Sequence, residues 1–177
     1  ATDALKVDNL LAAKVAGSGT GGALGEGDKV TFRFEFKDAE GKAQTHDIEF
    51  TVKAGVAGTE ANKLIASDGT EYEISTAADG GDFSAAAKFV QAKVTSAIES
   101  ELKKNATIKE NFKIDVATTN TNVVLDNKTG GTDQLKFEGV NIVVTNAKTG
   151  VDKVQSIAAT SEHAPADAGQ YVDMADL

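Results

Sequence analysis

The chain has no cysteine and no tryptophan, and only one proline, one methionine and one arginine in 177 residues. Each shortage removes a class of explanation. Without cysteine there is no disulfide framework, no thiolate metal site and no cysteine nucleophile. A single arginine, Arg33, set against a net charge of −9 argues against nucleic-acid binding, because guanidinium groups are the usual readers of phosphate and base edges. The same acidity disfavours anionic membrane surfaces. No apolar run reaches the roughly 18 residues needed to cross a bilayer, so no membrane insertion is expected. No signal-like segment opens the chain at Ala1, and a mature form or an excised piece is expected. Apolar residues make up 41% and aromatics 6%, the latter being eight Phe and two Tyr. That is enough for one domain with a real core.

What is present is organised around one helical pattern. After Gly80 and Gly81, Asp82 or Ser84 can cap a helix by accepting from the free amides of its first turn. Ala86, Phe89, Val90, Val94, Ala97, Ile98 and Leu102 then recur at three- and four-residue steps and form one stripe. Gln91, Lys93, Ser96, Glu99, Ser100 and Lys103 lie largely off it. Lys103, Lys104 and Asn105 end the pattern, with cations at the negative end of the helix dipole and an Asn able to turn left-handed. This predicts a main helix over about 83–103, whose stripe needs a sheet to cover.

The rest divides into an N-terminal arm (1–16), a Gly-rich linker (17–27), a main domain (28–150) and a C-terminal tail (151–177). In the arm, Asp3 can cap a short helix, a strand over Leu5–Val7 being the alternative. The linker is flexible by composition. Val30, Phe32, Phe34 and Phe36 alternate with Thr31, Arg33 and Glu35, the period of a half-buried strand. A turn at Asp38-Ala39-Glu40-Gly41 leads to a return strand over about 45–52, with Ile48, Phe50 and Val52 on one face. A second hairpin runs in through Leu64 and Ile65 and out through Tyr72 and Ile74, turning at Ser67-Asp68-Gly69-Thr70. Beyond the helix, strands are predicted at Phe112–Val116, at Val123–Leu125, and from Leu135 and Phe137 through Val144, with a loop over Asp126–Asp133. The turns at 123–130 and 143–150 share five of eight positions, which either turn chemistry or a duplicated hairpin produces. Val151, Val154 and Ile157 suit one more strand or a helical turn, and a loosely held tail is expected after them.

Little in the chain carries chemistry. His46 sits on a hairpin strand and His163 in the tail, and no second ligand stands at a metal-binding spacing from either. Asp38 and Glu40, and Asp126 and Asp133, flank turns without the alternating oxygen ligands of a calcium loop. Gly17, Gly19 and Gly22 match Gly-x-Gly-x-x-Gly, but no strand leads into them and no helix opens on them, so the match is spurious. No catalytic, cofactor-binding or metal residue is assigned. Exposed rings for a glycan site reduce to Tyr72 and Tyr171.

The order of elements from Val30 to Val144 resembles the ββαβ insertion motif in the variable outer region of bacterial flagellins and related filament proteins. The elements that carry it are Val-Thr-Phe-Arg-Phe-Glu-Phe (30–36), His-Asp-Ile-Glu-Phe-Thr-Val (46–52), the helical stretch 82–98, Phe-Lys-Ile-Asp-Val (112–116) and Asp-Gln-Leu-Lys-Phe (133–137). The 67–75 hairpin is extra, and the long helical polymerising ends of a flagellin are missing, so the resemblance implies an excised outer domain. With it comes an expected fold, α+β, in which a mostly antiparallel sheet packs on one main helix. The inner face would hold Phe32, Phe34, Phe36, Ile48, Phe50, Val52, Phe112, Ile114 and Val116. The expected function is a non-catalytic structural module of an extracellular or surface filament, acting as a homo-oligomer or polymer subunit with no cofactor. The alternative is a phage tail, tail-tube or fibre protein, in the virion, or an adhesin-type binding module.

Overall fold

The computed structural model describes residues 4–7, 11–12, 24–81, 83, 86–114, 123–127, 135–161 and 172–173. In chain order the strands are β1 (Ala4–Val7), β2 (Leu11–Ala12), β3 (Lys29–Lys37), β4 (Ala43–Lys53), β5 (Lys63–Ala66) and β6 (Glu71–Glu73). A 3-10 turn at Ala86–Lys88 and helices α1 (Gln91–Leu102) and α2 (Ala106–Asn111) follow. Then come β7 (Phe112–Ile114), β8 (Val123–Asn127), β9 (Lys136–Thr145), β10 (Asp152–Ala158), β11 (Thr160–Ser161) and β12 (Val172–Asp173).

Six strands form an antiparallel sheet in the order β10-β9-β3-β4-β5-β6. Its centre is β3, where strict alternation sends Val30, Phe32, Phe34 and Phe36 inward and leaves Lys29, Arg33 and Lys37 exposed. β3 pairs with β4 in an unbroken register from Lys29↔Thr51 to Lys37↔Ala43. On its other side the pairing with β9 slips by one residue between Glu35 and Phe36, a β-bulge that brings Phe137 opposite Phe36. Phe137 thereby stacks on Phe34 at 5.8 Å and tilts against Phe36 at 5.6 Å. On the outer face Arg33 stands opposite Asp47 and makes a two-pronged ion pair with it at 2.8 and 3.0 Å. The pair is exposed to solvent, which screens it, so it adds little to stability.

A second antiparallel sheet runs β11-β1-β8-β7, and β2 pairs in parallel with β12. One apolar cluster joins the two larger sheets, taking Ile114, Val123 and Leu125 from the second and the phenylalanines of β3 from the first. α1 touches β4, β5 and β6 on one side and β8 on the other. Each large side chain in that cluster contributes roughly 1.5–3 kcal/mol of burial before entropy is counted. All the residues expected on the inner face are buried except Val116, which lies outside the described residues.

The expected α+β balance is corrected. The fold is sheet-dominated, with twelve strands against two short helices among the described residues. The helix read over 83–103 is α1 alone, starting at Gln91 with Val90 at its N-cap in an extended conformation and no side-chain cap. Tertiary contacts overrule the local helix signals at the described residues between Ala86 and Val90. Phe83 and Phe89 meet edge to face at 6.1 Å, Val90 N donates to Ile74 O at 2.8 Å, and Asn62 Nδ2 donates to Lys88 O at 2.9 Å. Beside those contacts Ala86–Lys88 forms a 3-10 turn. Asp82 and Ser84, the expected caps, lie outside the described residues.

Three further differences follow from packing. Because α1 is covered from two sides, its buried surface is wider than one stripe: Thr95 and Glu99, polar residues one turn apart, are fully buried beside Val94, Ile98 and Leu102. Asn105 is not left-handed but extended, with φ −86° and ψ 117°, and its Oδ1 accepts from Ile108 N at 3.0 Å, so it opens a second helix rather than ending the first. At the N-terminus the short helix is replaced by strand β1, the alternative over Leu5–Val7, because β8 and β11 supply hydrogen-bonding edges on both sides of it.

Of the segment read as a linker, Leu24 is buried in the core and Gly27 N donates to Val52 O at 2.8 Å. Of the segment read as a tail, Asp152–Ala158 lies along β9 for its full length. The buried Asp28 carboxylate ties the end of the linker to the β9–β10 turn, accepting from Gly25 N at 2.7 Å and Ala147 N at 2.8 Å. The second of the two similar turns closes on Asn146, whose Oδ1 accepts from Lys148 N and Thr149 N; the first lies largely outside the described residues.

Candidate functional site

An open, polar cleft of about 230 Å³ is walled by His46 and Glu49 of β4, by Asp68 of the β5–β6 turn, and by Glu101, Lys104 and Asn105 at the end of α1. Its geometry follows from local chemistry. The Asp68-Gly69 turn closes because Asp68 Oδ1 accepts from Thr70 N at 2.9 Å and Gly69 takes φ 89°. This aims Asp68 Oδ2 at the first residues past α1, where a cation is favoured by the helix dipole.

Lys104 occupies that place. Its ammonium lies 2.8 Å from Asp68 Oδ2, 2.9 Å from Thr70 Oγ1 and 2.5 Å from Glu101 Oε2. An ammonium has three N–H donors, and all three are engaged. Tyr72 donates its phenolic proton to the same Glu101 oxygen, and Lys104 sits 6.0 Å from the centre of the Tyr72 ring. Asp68 is held well below the usual carboxylate range, first by Lys104 and then by the Thr70 amide. Lys104 is pushed above the usual lysine range by Asp68 and Glu101. Burial, with help from Glu101, pushes Tyr72 up to about 12. Asp68 and Lys104 therefore stay ionised, and Tyr72 neutral, across neutral pH, and the cluster fastens a turn to a helix 36 residues away.

His46 is half-buried at the back of the cleft on the face shared with Ile48 and Phe50, and Asn105 Nδ2 lies 3.3 Å from its Nδ1. With the amide as donor, the ring is the neutral Nε2–H tautomer. Desolvation pushes its pKa below the usual histidine range, against the pull of Asp47 and Glu101.

The other residues singled out in the sequence do not converge here. Asp38 fastens the β3–β4 turn, accepting from Glu40 N at 3.0 Å, Lys42 N at 2.8 Å and Gln44 Nε2 at 3.2 Å, chiefly the Lys42 amide holding it below the usual range. Glu40 is exposed on that turn. Asp126 belongs to β8, paired with Lys113 and Ala4. His163, Tyr171, Asp133, Gly17, Gly19 and Gly22 lie outside the described residues. No group of three His, Asp or Glu side chains that could hold a metal ion occurs among the described residues, and no helix among them is long and apolar enough to cross a membrane.

The Lys104 cluster was missed as a unit by sequence reasoning. Both halves had signals, the Asp-Gly turn and the cations at the helix end, but nothing local links them. No protein-family model, curated protein or solved structure matches this chain.

Proposed function

We propose that the chain is a non-catalytic structural module of an extracellular or surface filament, in the manner of a flagellin outer domain. The observation that carries this reading is the parallel pairing of β2 with β12, Leu11 beside Val172 and Ala12 beside Asp173. It sets the two arms side by side at one place. A domain with neighbouring ends can stand as a branch on a larger polymer subunit, displaying itself while assembly contacts are made elsewhere.

Two further features support it. Two cations are engaged within the fold, Lys104 of the cleft with three oxygens and Arg33 of the outer sheet face with Asp47. The net charge of −9 suits a displayed, self-repelling surface. The resemblance of the 30–144 pattern to flagellin insertion motifs points the same way.

Size exclusion coupled to light scattering at micromolar concentration tests the reading. A stable monomer is expected. A polymer at that concentration would mean that the chain carries its own assembly surface, which is the behaviour of a tail or fibre protein.

A further inference from the structure

We propose that the N-terminal arm, β1 together with β2, exchanges between two copies of this chain, each copy's β1 completing the other's four-stranded sheet. β1 is an interior strand of that sheet although it opens the chain. It pairs with β8 on one edge, from Ala4↔Asp126 to Val7↔Val123, and with β11 on the other, at Leu5↔Ser161 and Lys6↔Thr160. β2 pairs with β12. Every strand that receives the arm thus comes from residues 123–173, far from it in sequence. What joins the arm to β3 includes Gly17, Gly19, Gly21 and Gly22, a composition that sets little preference for the path taken.

Withdrawing the arm leaves the inner edges of β8 and β11 without a partner, and a bare strand edge is a template for pairing. The arm of a second copy is the same strand with the same register, so the ladder formed between copies is the ladder formed within one. Exchange of this kind is a low-cost route to dimers. With identical contacts on both sides, the balance is set by the effective concentration of the tethered arm, on the order of 1 mM for a short flexible tether. At micromolar concentration the arm stays with its own chain. Near millimolar concentration, or where copies are held close together, it passes between them. The inference goes beyond the functional reading above, because it needs only two copies of this chain and no filament.

The absence of native cysteine makes the test direct. Single variants Lys6→Cys and Thr160→Cys occupy facing positions of β1 and β11. The two are mixed in denaturant, refolded together at about 1 mM or about 10 µM, one near the effective concentration and one far below it, then oxidised and run on a non-reducing gel. A mixture of Lys6→Cys with Lys153→Cys, on the far sheet, gives the collisional background. The expected result is a covalent heterodimer several-fold above background at the higher concentration and close to background at the lower. A heterodimer no stronger than background at both concentrations would overturn the proposal. A second reading does not depend on disulfide geometry. Light scattering on the unsubstituted chain refolded at about 1 mM should give a dimer that relaxes to monomer on dilution, and monomer throughout would overturn the exchange equally.

Discussion

Asn62 Nδ2 donates to Lys88 O at 2.9 Å across 26 residues of sequence, while its Oδ1 accepts from Gly55 N at 2.8 Å and Gly81 N at 3.0 Å. The side chain is fully buried, so one amide fixes the loop after β4, the glycine pair before the 3-10 turn, and the approach to α1. Its own backbone N donates to Ser75 Oγ at 2.9 Å, and its carbonyl accepts from Ile74 N at 2.9 Å.

Replacing Asn62 should therefore be costly even with a near-isosteric residue. Asn62→Asp removes the donor to Lys88 O and buries a charge, and a loss of about 3 kcal/mol or more is expected from urea unfolding. A loss under about 0.5 kcal/mol would mean that the three loops are held by other contacts.

Gly55 and Gly80 should tolerate no side chain. A Cβ on either would run into Glu60 O, a backbone atom that cannot swing aside. Gly55→Ala and Gly80→Ala should each lower stability by about 2–4 kcal/mol through backbone displacement alone. Gly139→Ala should specifically weaken β10, because its Cβ would stand 2.5 Å from Ile157 O. Faster amide exchange over 152–158 than elsewhere in the sheet is the expected signature.

Phe34 lies at the centre of the larger sheet with no exposed surface and stacks on Phe137. Phe34→Ala should cost about 3–5 kcal/mol. A melting curve like that of the unsubstituted chain would sink the register between β3 and β9.

Tyr72 gives a spectroscopic check on the cleft. In a Tyr171→Phe chain, leaving one phenol, ultraviolet titration should place its midpoint at about 12. Glu101→Ala, which removes the acceptor, should bring it down towards an ordinary phenol. Because the folded state raises this pKa, the stability tied to the neutral phenol is fully present below about pH 10 and lost as pH climbs towards the folded value.

His46 acts at the other end of the scale. Its folded pKa is depressed by burial, so the unfolded chain takes up a proton that the folded chain resists. Its contribution is complete above about pH 6.5 and declines as pH falls from there towards the folded value. Urea midpoints at two values, one on each side of that range, should differ more for the unsubstituted chain than for His46→Asn.

Period-two alternation made the β3–β4 hairpin legible in the sequence, and the Asp68-Gly69 turn did the same for β5–β6. Burial of one face dictates both patterns locally. The helix boundaries were not legible. Asp82, Ser84 and the alanines that follow carry good helix signals, but α1 starts only at Gln91, after a 3-10 turn at Ala86–Lys88 whose last carbonyl is held by the Asn62 amide 26 residues away. Asn105 shows the same limit: its side chain suits either a helix end or a helix start, and the position of Ile108 decides. Of the cleft, His46 was identified as a strand residue, while the Lys104–Asp68–Glu101–Tyr72 cluster exists only once α1 is laid against the β5–β6 turn.

The central claim is that this is a displayed, non-catalytic module of a surface filament, and the most direct measurement is immunogold electron microscopy of cells that produce the chain. Antibodies raised against the folded chain should label the outside of intact cells, in rows along filaments. Label that appears only after permeabilisation, scattered inside the cell, would contradict the account.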